Sequence, residues 1–203
     1  MSAVAEAVRF DPDQHRYYRG LQELVSVTKV IRETWPVKPS WDGVDQAVID
    51  NARERGVEVD QLFTGWINGT LRSIPAGTRE DAVERFLELR KWWLATHGDA
   101  QVSAQVILAD DEIAGQVDVL GGFIYDLKNT AQIETTYSMQ LGAYADLHEK
   151  QFGKLPSGLG VIHVTQAKDK PVKVRLVEFD VMIAVNEWRL LRQFWQMVRR
   201  KTK

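Results

Sequence analysis

Between Val102 and Lys128 the chain packs three short runs rich in β-branched and aromatic residues: VSAQVILA, EIAGQVDVL and FIYDLK. Only the turn candidates Asp110-Asp111 and Gly121-Gly122 separate them. Connections that short join neighbouring strands, so this stretch is predicted to be an antiparallel three-stranded meander. Everything around it has a different period. AVRFDPDQHRYYRG reads as a hairpin about Asp11-Pro12-Asp13, and a short helix capped by Ser26 or Thr28 is expected to end near Pro36. Helical patterns follow from about Asp42 to Gly69, and from Thr78, with Asp81 three positions on as its capping partner, to Gly98. Beyond the meander come a helix from Glu134 to Phe152, the strands GLGVIHVTQ and VKVRLVEFD, and a last helix. Its expected apolar stripe is Val181, Val185, Trp188, Leu191, Trp195 and Val198. This order specifies an α/β fold, a mixed central β-sheet flanked by α-helices. No linker or repeat divides the 203 residues, so one domain is expected over 1–203, with an N-terminal hairpin and a C-terminal basic helix.

The absence of cysteine removes disulfides, zinc–thiolate sites and iron–sulfur clusters. No apolar run is long enough to span a bilayer, and MSAVAEAVRFDPD lacks the layout of a secretory signal, so a cytoplasmic protein is expected. The formal net charge of −2 hides an asymmetry: after Trp188 stand six basic side chains and no acidic one. Arg189, Arg192, Gln196, Arg199 and Lys203 recur at helical spacing as one stripe. The stripe is read either as a solvated face or as a track for a polyanion backbone.

The chemistry concentrates in the meander. Asp126 and Lys128 are two apart on a strand and share a face, and Asp118 lies on the preceding strand one short turn away. A D-x-K triplet alone means nothing, its default being an exposed ion pair of small value. Here Phe123-Ile124-Tyr125 marks the strand as buried, and a buried Asp needs a partner. Two converging carboxylates repel unless a cation lies between them, and an all-oxygen donor set suits Mg²⁺ or Mn²⁺. A lysine beside such an ion can orient water and stabilise charge on a phosphoryl oxygen.

Asp118, then Asp126-Leu127-Lys128, then Gln140 and Tyr144 in QLGAY, resembles the PD-(D/E)XK nuclease superfamily in its RecB-like branch. The opening FDPDQHRYYRG…LVSVTKVI is similar to the start of phage-encoded members. The resemblance implies metal-dependent hydrolysis of DNA phosphodiesters, with Asp118, Asp126 and Lys128 catalytic and a metal held by Asp60, Asp118, Asp126 and the Leu127 carbonyl. It also implies an exonuclease of recombination, repair or phage DNA processing, with DNA and a recombination protein as partners and no iron–sulfur cluster. The branch places a histidine ligand four residues after a helical glycine. Here Gly56-Val57-Glu58-Val59-Asp60 puts Asp60 in that frame, and Glu58, on another side of the helix, is the competitor. Gln105 stands where relatives often carry an acid. Gln140 and Tyr144, four apart on a helix, are expected to contact DNA or to buttress the lysine strand, as Arg189, Arg192 and Arg199 are to contact DNA. Ser26 and Thr28 bind phosphate or simply cap their helix. Trp92-Trp93 offers a base-stacking platform. A non-cleaving module of the same fold and a structure-specific endonuclease or resolvase are the alternatives.

Overall fold

A computed structural model describes residues 6–35 and 43–201; Pro36, Asp42 and Lys203, named above, lie outside the described residues, as does the side chain of Lys201. The elements are β1 (Val8–Asp11), β2 (Arg16–Arg19), β3 (Gln22–Ser26), α1 (Val27–Thr34), α2 (Gln46–Ile67), α3 (Glu80–His97), β4 (Ser103–Ala109), β5 (Ile113–Leu120), β6 (Phe123–Lys128), α4 (Thr136–Phe152), β7 (Gly158–Thr165), β8 (Lys173–Phe179) and α5 (Val181–Lys201). The mixed α/β architecture is as expected, with one strand added: β3 continues the N-terminal hairpin and runs parallel to β5 through Val25 and Ser26.

The sheet runs β1-β2-β3-β5-β6-β7-β8, with β4 on β5. Because β4 takes one edge of β5 along most of its length, β3 and β6 must share the other. They meet it only at its two ends, Ile113-Ala114 and Val119-Leu120, so the edge between has no strand partner among the described residues. The meander therefore splays in its middle. Tyr17 of β2 bridges part of the gap through a hydrogen bond to the Gln116 backbone, and burial holds its phenol up at about 12.

Two apolar layers cover the sheet. On one face α1, α4 and α5 pack Val30, Leu141, Ala145, Leu147, Val185, Trp188 and Trp195 onto Ile124, Leu159 and Val161. On the other, α2 and α3 pack Val59, Phe63, Phe86, Leu89 and Trp93 onto Tyr125, Leu127 and Ile162. α4 is the buried spine of the first layer and crosses α5 closely at Gly142, where any Cβ would lie 2.0 Å from the Ala184 carbonyl oxygen. Only glycine permits that approach.

Local signals differ from expectation in three places. Thr78 does not cap α3: its hydroxyl donates to the Pro75 carbonyl at 2.8 Å, and Arg79 is the N-cap. Val198 is exposed rather than part of the α5 stripe, which Ala184 completes instead. Trp93 is buried and Trp92 half-buried against the same core, so the pair is not an open stacking platform. No described helix is long and apolar enough to cross a membrane.

Candidate active site

The unpaired stretch of β5 and the end of β6 create the site. Past Tyr125 the β5–β6 ladder stops, and the Leu127 amide donates to Asp118 Oδ2 at 2.7 Å instead of to a strand carbonyl. That bond fixes Asp118 against the strand bearing Asp126 and Lys128. Asp126 is 2% exposed; its Oδ2 lies 2.6 Å from Lys128 Nζ, and its Oδ1 accepts from Gln140 Nε2 at 3.2 Å. Lys128 also sits over the Tyr137 ring, 5.1 Å from its centroid.

α4 supplies the back wall. Gln140 donates a second bond, 2.8 Å, to the Tyr144 hydroxyl. The Tyr144 ring lies against Gly115 of β5, where a Cβ would come within 2.6 Å of it. Tyr144 is only 3% exposed, so of the two roles expected of it the buttressing one fits its place and the DNA contact does not. It buttresses Gln140, which in turn orients Asp126.

α2 approaches from the opposite layer. Asp60 accepts from Gln105 Nε2 through both oxygens at 3.2 Å, and the same nitrogen lies 3.4 Å from Thr64 Oγ1. Gln105 reaches across because its backbone is left-handed, φ 58°, within a strand; for a residue other than glycine this is strained. Glu58 points elsewhere: its Oε2 accepts from the Arg79 amide at 3.3 Å and completes the start of α3. The choice of Asp60 over Glu58 as the residue facing the carboxylates agrees with this placement.

Burial and mutual repulsion set the charge state. Asp118 is pushed up to about 8, by burial first and by Asp126 next, with Lys128 opposing. Asp60 is pushed up to about 6 by burial, against the pull of Lys128. Burial alone would lower the Lys128 ammonium, yet Asp126 and Asp118 outweigh it and hold the lysine above its ordinary value. Fully ionised, the three carboxylates would carry more negative charge than one lysine neutralises, and the raised values of Asp118 and Asp60 express that cost. Their donors are all oxygen, the set a hard divalent cation takes, and Asp126 Oδ2 is already engaged by the Lys128 ammonium. Among the described residues, however, no three His, Asp or Glu side chains are close enough together to enclose one ion.

Other expected residues lie away from this centre. Ser26 caps α1, its Oγ accepting from the Lys29 amide at 3.1 Å, with Thr28 Oγ1 3.3 Å from it. Much of the basic stripe of α5 is paired with acids of the protein itself. Arg189 pairs with Asp146 at 2.7 Å and Glu149 at 2.6 Å, and Arg192 pairs with Asp110 at 2.5 Å and Glu112 at 3.3 Å. Arg199 lies over Trp195, 4.5 Å from the ring centroid. Arg189 and Arg192 therefore do not form a free track, because the partners that take their charge come from α4 and the β4–β5 turn.

No known protein family matches the sequence, and no curated protein resembles it closely enough to count as a relative. Solved structures do match. A protein from Eubacterium rectale named as a candidate exonuclease superposes with a TM-score of 0.53 at 12% identity, over 88% of this chain and 82% of its own. The two share a fold. Looser matches are an alkaline exonuclease from Laribacter hongkongensis (TM-score 0.38, 12% identity, 88% and 93% covered) and a phage-related exonuclease from Haemophilus somnus 129PT (TM-score 0.38, 12% identity, 89% and 96% covered).

Proposed function

We propose that the protein is a metal-dependent deoxyribonuclease of the RecB-like PD-(D/E)XK type, acting as an exonuclease in recombination, repair or phage DNA processing. One observation carries this reading: the buried Asp126–Lys128 ion pair stands beside Asp118 where β5 and β6 separate. The fold shared with a candidate exonuclease is in keeping with it.

Asp118, Asp126 and the Leu127 carbonyl would hold Mg²⁺ or Mn²⁺, with Asp60 contributing from the α2 side. Such an ion supplies Lewis acidity toward a phosphoryl oxygen and acidifies bound water. The protein's own groups do the rest. Lys128, kept charged by its carboxylate neighbours, donates to the attacking water and to the phosphoryl oxygen on which charge builds. Gln140 and Tyr144 hold the Asp126 carboxylate in one orientation, so no reorganisation is needed as charge develops. The alternative, a non-cleaving module, is favoured by one observation: among the described residues no three acidic or histidine side chains lie close enough together to enclose one ion.

The test is digestion of linear and circular duplex DNA in Mg²⁺ and in Mn²⁺. Degradation of linear DNA alone is expected, and it should vanish in Asp118→Asn, Asp126→Asn and Lys128→Ala. Cleavage of circles would make it an endonuclease. Binding without cleavage would make it a module, and full activity in any of the three variants would reject the assignment.

A further inference from the structure

Directly after Lys128, where the parallel strands β6 and β7 both end, a cavity of about 880 Å³ opens. In a sheet of this kind the crevice beyond the carboxyl ends of parallel strands is where ligands bind. Its lining is strongly basic: Arg55 from α2, Arg85 from α3, Lys170 from the β7–β8 turn, and Lys173 and Arg175 from β8. No acidic residue lines it among the described residues. The floor is the Asn129–Ala131 loop, the direct continuation of the strand carrying Asp126 and Lys128.

Arg85 is the decisive residue. It is 5% exposed, yet its guanidinium has no carboxylate partner; its one bond is a long 3.4 Å contact from Nη1 to the Val164 carbonyl, and Nε has none. Arg55 Nε is likewise buried without a partner. The nearest acids are engaged elsewhere, Asp81 with Arg55 and Arg79, and Glu84 with Gln166. Burying a charge without a partner is costly, and two guanidinium groups side by side increase the cost. An anion in the cavity removes it.

The cavity is also organised. Arg175 donates to His163 Nδ1 at 3.2–3.3 Å, and arginine cannot accept, so Nδ1 is the acceptor and the ring proton sits on Nε2. That proton is donated to the Thr130 carbonyl at 2.8 Å. A neutral His163 therefore fixes the guanidinium on β8 and the loop next to Lys128 in a single arrangement.

We propose that this cavity is a phosphate subsite that holds a backbone phosphate of the DNA strand presented to Asp118, Asp126 and Lys128. The inference rests on the nuclease reading and adds to it where the strand is gripped. Carboxylates repel the strand they cut, and a protein of net charge −2 needs a local basic surface to retain it. Guanidinium forks match phosphate oxygens in geometry as well as charge. Phosphate contacts set register without reading sequence, so binding here is indifferent to base composition.

The experiment measures binding without turnover: fluorescence anisotropy of a labelled DNA duplex in EDTA, over a salt series, with the full chain. Parallel titrations use inorganic phosphate and deoxynucleoside monophosphates. Lys170→Gln/Lys173→Gln changes exposed residues only and leaves folding intact, whereas Arg85→Lys tests the buried group. Either variant should weaken DNA binding about tenfold or more, the loss expected of a charge-assisted bond. The slope of log affinity against log salt should flatten by about one for each phosphate the variant no longer neutralises. Equal affinity and slope in wild type and Lys170→Gln/Lys173→Gln overturns the proposal, even if Arg85→Lys fails to fold. So does an effect on free phosphate or mononucleotide binding with none on DNA, which would make the cavity a small-anion site. Weakened DNA binding by a protein that cleaves nothing keeps the subsite and discards the nuclease. Cleaving protein with unaltered binding in the variants does the reverse.

Discussion

Asp60 and Glu58 are two positions apart on α2 and serve different ends. Asp60 faces Gln105 and feels Lys128 and Asp126, whereas Glu58 holds the amide that opens α3. Asp60→Ala should lower cleavage by about 10–100-fold, the usual cost of disturbing a ligand shell. Glu58→Ala should leave cleavage within a few-fold and cost about 1 kcal/mol of stability, as for removal of a helix cap. Single-turnover cleavage and urea denaturation measure the two effects, and a severe Glu58 phenotype beside a silent Asp60 would exchange their roles. That Asp60 rather than Glu58 faces the site was legible, because two residues of helix turn a side chain more than half-way round. So was the Asp126–Lys128 pair, from the period of a strand. The grip of Gln105 on Asp60 was not, since it depends on a left-handed residue inside β4 that no local pattern announces.

At the level of elements, α5 shows where reading charge from sequence fails. Its arginines look like a free stripe because their partners lie far away in the chain, Asp146 and Glu149 on α4 and Asp110 at the end of β4. The same distance hides β3, whose pairing with β5 is a two-residue contact between remote segments. It hides the basic cavity too, assembled from α2, α3 and the β7–β8 hairpin. Helices, the meander and the last two strands were readable because period and turn residues are local. The arginine clamp makes an expectation about acid. Burial by itself would raise Asp110, but Arg192, Lys150 and two backbone amides hold its carboxyl well below the usual range. Its folded form thus binds a proton less readily than its unfolded form. The stability it contributes is full above the ordinary carboxylate range and is lost as pH falls through the depressed folded value. Arg192→Gln should therefore move the acid-unfolding midpoint to higher pH and lower Tm near neutrality by about 3–6 °C. The salt dependence of DNA binding should stay as in wild type. An unmoved acid limb with a flattened salt slope would return Arg192 to the DNA.

For the whole molecule, the site is a place where stability is given up. Asp118, Asp126 and Lys128 are held together where β5 and β6 separate, and Asp60 on α2 is near enough to feel the charge of the last two. Burial, with Asp126 next, raises Asp118 to about 8. A carboxyl that binds its proton more tightly when folded makes the protein less stable as pH rises from the unfolded carboxylate range toward that value. In EDTA, Tm should decline between about pH 5 and pH 8, and Asp118→Asn should flatten the decline and raise Tm at the upper end. A cation that binds only the folded state acts in the opposite direction. At a hundred times its dissociation constant it contributes about 2.7 kcal/mol, which for a chain of this length is about 5–10 °C. Mg²⁺ or Mn²⁺ at about pH 8 should produce such a rise in wild type and little in Asp118→Asn or Asp126→Asn, as followed by differential scanning fluorimetry. Lys128→Ala should retain the response, because the lysine competes with the cation for the same carboxylates. A wild type indifferent to both ions, or variants that respond as strongly as wild type, would mean that the acidic cluster serves the fold's electrostatics and no metal.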